Sequence, residues 1–281
     1  HSATTFSAAQ CFVSLEGAKF ALTTTGFTPL PLANGWVGGP FGTSPPAAAR
    51  IDGIVHLKGA IGSGAGSFAF TLPPAMRPAT SVYLSIGLCN AQKGRLLIQP
   101  DGTAFVSALG SFADAQCFTS LDGLSFVPEA NGSAPLAVTG DWFGAPSRTS
   151  SPAATLVRNT VHLKGAISGG TTSTPFTLPP ILRPLANVFV PVDLCNANKG
   201  RLWIQTNGSV SLIAQSAFGD AQCFTSLDGV TYPVPEPTGF AALAAGALLV
   251  GGIGRARSGR RTASSEVRSP GTSSKAPSTL R

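Results

Sequence analysis

The chain repeats itself at an offset of 106 residues, and that period decides what it can fold into. Gln10, Cys11 and Phe12 recur as Gln116, Cys117 and Phe118, and again as Gln222, Cys223 and Phe224. The same offset carries Trp36 to Trp142 and Pro40 to Pro146. It carries the Val-His-Leu-Lys-Gly-Ala-Ile of 55–61 to 161–167, the Phe-Thr-Leu-Pro-Pro of 70–74 to 176–180, and the Leu-Cys-Asn-Ala of 88–91 to 194–197. No insertion or deletion intervenes, so two units are expected, at 23–128 and 129–234. Residues 1–22 match only the end of a unit, with Ser14, Leu15, Glu16 and Gly17 against Ser120, Leu121, Asp122 and Gly123. They read as the C-terminal remnant of an upstream repeat. A repeat this long can own a hydrophobic core, unlike the roughly 20–50-residue repeats of solenoids.

Within each unit the apolar period is two. Val55, Leu57 and Ile61 stand against His56 and Lys58, and Phe68, Phe70 and Leu72 continue the pattern. So do Val82, Leu84 and Ile86, and then Leu96 and Ile98 against Arg95 and Gln99. Pro100, Asp101 and Gly102 supply a turn in the first unit, and Thr206, Asn207 and Gly208 supply it in the second. No stretch of either unit sustains a helical period. Seven or eight short strands per unit predict an all-β fold of two tandem β-sandwich or jelly-roll-like domains.

Five cysteines fall on the repeat: Cys11, Cys89, Cys117, Cys195 and Cys223. Two regular pairings are open. Cys89–Cys117 with Cys195–Cys223 leaves Cys11 over; Cys11–Cys89 with Cys117–Cys195 leaves Cys223 over. The first is preferred, because residues 1–22 already read as the end of a unit whose partner cysteine lies upstream. Bridges at repeating positions imply an oxidising compartment, the alternative being buried thiols. There is no Cys-x-x-Cys pair to suggest zinc or thioredoxin-like chemistry.

Charged residues make up only 11% of the chain, against ~25% in typical soluble proteins. With 33 Gly and 23 Pro, that suits an extracellular β protein better than a cytosolic enzyme. The net charge of +7 sits in the tail. Residues 255–281 hold seven Lys or Arg and one Glu, whereas residues 1–254 hold twelve Lys or Arg against eleven Asp or Glu. The body carries no basic stripe, so nucleic acid is not expected as a partner.

Catalytic patterns are not evident. His56 and His162 are one position in two copies, on the polar face of a strand, where Lys58 and Lys164 would lower their pKa if close. Asp122-Gly123 and Asp228-Gly229 read as turns, and residues 62–66 as a flexible glycine-rich hairpin tip. No cofactor or metal is expected, and no nucleophile elbow or phosphate loop is present. Two features are candidate glycan contacts. Trp36 and Trp142 sit in Pro/Gly-rich loops, where an exposed indole could stack on a sugar and a packed one could not. Asn90, Lys93 and Arg95, with Asn196, Lys199 and Arg201, form a polar cationic patch in each unit, fit for an acidic exopolysaccharide or merely solvated.

Val234, Pro235, Glu236 and Pro237 precede an apolar run at 239–254 and a basic cluster of Arg255, Arg257, Arg260 and Arg261. The run includes Gly239, Phe240, Leu243, Leu248, Leu249 and Val250. As a short hydrophobic helix it would span roughly 24 Å, less than the ~30 Å hydrocarbon core of a bilayer. The arginines would stay cytoplasmic, with everything before them outside. This order resembles the PEP-CTERM sorting signal of bacterial envelope proteins. The resemblance implies export, handling by an exosortase-type membrane enzyme, and delivery to the cell surface or extracellular matrix. On this reading 235–261 is the sorting segment and 262–281 a disordered basic tail. An exported chain also needs a leader; none is visible before Cys11, so the N-terminus is expected to lie upstream of His1.

A second likeness lies in the units. Val-x-Leu-Lys-Gly-Ala-Ile, Leu72-Pro73…Arg77-Pro78 with Leu178-Pro179…Arg183-Pro184, and Gly-Arg-Leu-x-Ile resemble the β modules at the ends of phage tail fibres. That implies a β-sandwich used for adhesion or display, often trimeric. The expected function is a non-enzymatic surface protein. The alternatives are a carbohydrate-binding module of the exopolysaccharide matrix and a tail-fibre-like receptor-binding module.

Overall fold

A computed structural model describes residues 10–23, 25–129 and 132–235. Glu236, Pro237, the apolar run, the arginine cluster and the basic tail lie outside the described residues. The described residues fall in one compact unit.

Each copy is built of antiparallel strands in three sheets. In the first copy, Thr28–Pro29, Ala47–Ile51, Ile54–Lys58 and Ser125–Phe126 make one sheet in that spatial order. Val82–Gly87, Lys93–Ile98 and Thr103–Ala108 make a three-stranded meander, and Phe68–Thr71 crosses over to pair with Thr103–Ala108 as the fourth strand of that sheet. A small third sheet joins Thr119–Ser120, Ala60–Gly62 and Val37–Gly38. The second copy repeats all three.

The period-two pattern explains the layering. Along Val82–Gly87, Val82, Leu84 and Ile86 are buried while Tyr83 and Ser85 are half-buried and Gly87 exposed. These inward residues meet Ala48, Val55 and Leu57 of the facing sheet in one apolar core, which also holds Phe70. Packing of two inner faces in this way is a β-sandwich. The second copy has its own equivalent core around Val161, Leu163, Phe176, Val190, Leu202 and Tyr232.

The repeated Lys-Gly-Ala marks the corner where the chain leaves one sheet for the next. Gly59 has φ +85°, and a Cβ there would stand 2.4 Å from the Ser44 carbonyl oxygen. Only glycine fits such a site. The Asp-Gly pairs serve this corner: the Asp122 carboxylate accepts the Gly59 N–H at 2.8 Å, and that of Asp228 accepts the Gly165 N–H at 2.9 Å. The Leu-Pro…Arg-Pro element is likewise internal bracing. Arg77 Nε donates to the Leu72 carbonyl and Arg183 Nε to that of Leu178.

Each copy also contains one six-residue α-helix, Phe112–Cys117 and Phe218–Cys223, too short to show a helical period. One expectation needs correction: the glycines at 62–66 are not a flexible tip. A Cβ on Gly64 would lie 2.0 Å from the Trp36 ring, so the residue is glycine to let the indole lie against backbone.

Candidate functional site

The disulfides are Cys89–Cys117 and Cys195–Cys223, with Cα atoms 5.8 and 5.6 Å apart; Cys11 is free and exposed. Each bridge ties the end of a six-residue helix to the turn that follows the meander's edge strand, at Cys89–Ala91 and Cys195–Ala197.

Trp36 and Trp142 are buried, each 5% exposed. Their indole N–H groups donate to the carbonyls of Gly66 and Thr172 at 2.8 Å. Each ring packs edge-on against the first residue of its copy's helix, Phe112 or Phe218. Neither indole face is open to a sugar, so the candidate glycan role of both is corrected to a core role.

The cationic patch divides into two unlike halves. In the first copy it is consumed. Lys93 donates to the Asp193 carboxylate and to the carbonyls of Ala197 at 2.9 Å and Asn198 at 2.8 Å. Arg95 reaches the other carboxylate oxygen of Asp193 and the Leu194 carbonyl, both at 2.5 Å. Its guanidinium lies over Tyr83 and over Phe224 of the second copy. Lys93 and Asp193 are 3% and 1% exposed. Burial first and foremost raises the Asp193 pKa, and it lowers that of Lys93 to about 8, against the pull of the opposite charge. This cluster joins the two copies and leaves no room for polysaccharide. Asn90 stands exposed beside it, its amide 3.4 Å from Asp114.

In the second copy the equivalent surface is open. Lys199 and Arg201 line a cavity of about 330 Å³ with Gly200, Ile213, Ala214 and Gln215. Arg201 lies over Phe189, which stacks on Trp203. Asn196 is exposed and does not line this cavity. Sequence reasoning missed Asp193, because its partners lie in the other copy. The available signal was the break in the repeat: Asp193 stands where the first copy has Gly87.

His162 feels the charge of His56 in the other copy. Burial lowers the pKa of His162 to about 4, with further contributions from Lys19 and His56, and lowers that of His56. The cation that acts on both is Lys19, not the expected Lys58 and Lys164. Among the described residues no group of three or more His, Cys, Asp or Glu could hold a metal. No helix among them is long and apolar enough to cross a membrane. Val234, the first residue of the Val-Pro-Glu-Pro run, belongs to the second core, and its N–H donates to the Asn159 carbonyl at 2.8 Å.

No protein-family description matches the chain, and no curated protein matches it. Among solved structures it is similar to the receptor-binding protein of Listeria phage PSA, at 20% identity and a TM-score of 0.31. The match covers 37% of this chain and 66% of that one, so the chain spans just under two thirds of that protein's length. A likeness of that size is too slight to carry function across.

Proposed function

We propose that the chain is an exported, non-enzymatic protein for display or adhesion at a bacterial surface or in its matrix, with its C-terminal segment as the sorting signal. The observation that supports this most is the pair of bridges at equivalent positions. A bridge closing a loop of this length stabilises by about 3–4 kcal/mol in the chain-entropy model and persists only where thiols are oxidised. The repeated polar side chains are spent on the protein itself: Asp122, Asp228, Arg77 and Arg183 brace corners, and Lys93 and Arg95 lock one copy to the other. A body stiffened in this way suits presentation more than chemistry. The exosortase-type enzyme and the membrane contact through 239–254 are part of the same proposal.

Mass spectrometry of the mature protein from its native cells tests it. The expected chain is extracellular, bridged at both sites and cut before Arg255. A mature chain that retains 255–281 contradicts processing. A glycan array with the exported chain separates display from specific sugar binding; strong selective binding favours the matrix-binding module instead.

A further inference from the structure

The contacts between the two copies and residues 10–22 repeat in a cyclic order. The Ser226 hydroxyl of the second copy donates to the Tyr83 carbonyl of the first at 2.7 Å. One repeat away, Ser14 donates to the Phe189 carbonyl of the second copy at 2.9 Å. Phe224 packs on Tyr83, and its equivalent Phe12 packs on Phe189, with ring centroids 4.8 and 5.2 Å apart. So the end of copy two sits on the meander of copy one, and residues 10–22 sit in the same way on the meander of copy two.

A third set of contacts closes the circle. The Cα of Gly229 faces the Ser125 carbonyl, that of Gly17 the Thr231 carbonyl, and that of Gly123 the Lys19 carbonyl, at 3.8, 4.0 and 2.7 Å from the Cβ each would carry. Gly17, Gly123 and Gly229 are one position of the repeat; Lys19, Ser125 and Thr231 are another. Each station thus touches the next, and the last touches the first. Equivalent residues also meet each other, as they must near a rotation axis. Lys19 Nζ donates to Ser125 Oγ at 2.9 Å, and Arg158 pairs with Asp52 at 3.0 Å. Head-to-tail interfaces of this kind form a ring when the rotation closes.

Two edges of the ring are open among the described residues. The segment that is mated in copy two is looser in copy one: Phe118, Ser120 and Leu124 are half-buried and Asp122 exposed, where Phe224, Ser226, Val230 and Asp228 are buried. The Lys-Gly-Arg surface shows the reverse. Lys93 and Gly94 are buried, whereas Lys199 and Gly200 are half-buried and Arg201 exposed. On copy one that surface is filled by the Cys195–Ala197 turn and Asp193; on copy two it is the cavity at Lys199 and Arg201. A second cavity, about 460 Å³, lies at the centre of the three stations. Leu84 and Val190, equivalent strand residues, line it beside Gly17, Gly123 and Gly229. Three glycines and two strand residues leave one strand position unfilled.

We propose that both edges are closed by one further copy of the same 106-residue unit, of which residues 10–22 are the C-terminal segment. Its meander receives the end of copy one, at Phe118 and Ser120. Its Cys-Asn-Ala turn fills the cavity on copy two, giving Lys199 backbone carbonyls to donate to. One unit satisfies both edges because the two existing copies already show both halves of the joint.

The test is a longer chain in which residues 129–212 are duplicated ahead of residue 1 of the full 281-residue chain. The added copy brings the counterparts of Asp193 and Cys195. The parent chain is expected to titrate one free thiol, Cys11; the extended chain is expected to titrate none. Backbone hydrogen exchange at 118–124 should slow at least tenfold and match that at 224–230. Small-angle scattering should show a compact monomer. Asp193→Lys in the added copy alone should restore fast exchange at 118–124 while Cys11 stays bridged. A bridged Cys11 with unprotected 118–124 and an elongated particle overturns the proposal, since the third unit is then folded but not docked. Dimerisation of the parent chain through 118–124 and 199–201, with the added copy left outside, also overturns it.

Discussion

Asp193→Asn removes one charge from the joint between the copies and should be among the costliest single changes in the protein. Asp193 is 1% exposed and faces two cations, Lys93 and Arg95. Removing one partner from a buried ion network costs about 3–5 kcal/mol, because the remaining charge is stranded. Two features place this case near the lower end. Arg95 is half-buried, so water takes over part of its solvation. Lys93 already has its pKa lowered to about 8, so without the carboxylate it sheds its proton instead of staying charged. A loss of about 3 kcal/mol corresponds to a fall of roughly 6–12 °C in Tm for a unit of this size. The sign with pH is also set. A lysine whose folded pKa lies below its unfolded value gains stability as the solution becomes more alkaline. In the variant that gain begins at lower pH, so the gap to the parent should narrow between pH 6 and 9. Replacing all three together, with Lys93→Met, Arg95→Met and Asp193→Leu, should be near neutral, as for other buried ion clusters exchanged for apolar residues. Calorimetry with urea titration reads all of this. A fall of less than about 2 °C for Asp193→Asn would refute the reasoning that the cluster holds the copies together.

Three other outcomes are expected. His162 is held neutral, with its pKa lowered to about 4, so its contribution to stability is lost as pH falls from about 6.5 toward 4. Asp228, raised by burial to about 7, acts in the opposite sense over pH 4–7, so His162→Gln should reduce the loss between pH 7 and 4.5 by about 1–2 kcal/mol, measured as urea midpoints at both pH values. Gly64→Ala drives a Cβ into the Trp36 ring and should cost about 1–3 kcal/mol with a change in tryptophan emission; Gly170→Ala should cost more, since Gly170 also has φ +71°. Cys195→Ser with Cys223→Ser should cost about 3–4 kcal/mol by chemical denaturation and leave Cys89–Cys117 intact.

Much of the fold was legible because duplication prints the same constraint twice. The period of two along 82–87 and 94–98 located the meander, and the spacing of the cysteines narrowed the pairing to two schemes. The Asp-Gly pairs were recognised as turns, though not as caps for the Gly59 and Gly165 corners, since that contact spans 63 residues. The candidate site was less legible. Trp36 and Lys93 look like surface groups in a linear pattern, because nothing local reveals that a loop or a second copy covers them. Phe189, Pro191 and Asp193 alternate as an outward face should, yet Asp193 is buried, because another copy supplies the cover. Local periodicity reports which side of a sheet faces its own core, and contacts between units lie beyond it.

The most direct measurement of the account is the thiol state and location of the chain recovered from its native cells under alkylating conditions. The account predicts extracellular protein with Cys89–Cys117 and Cys195–Cys223 linked. Cytosolic protein with those four cysteines alkylated would contradict it.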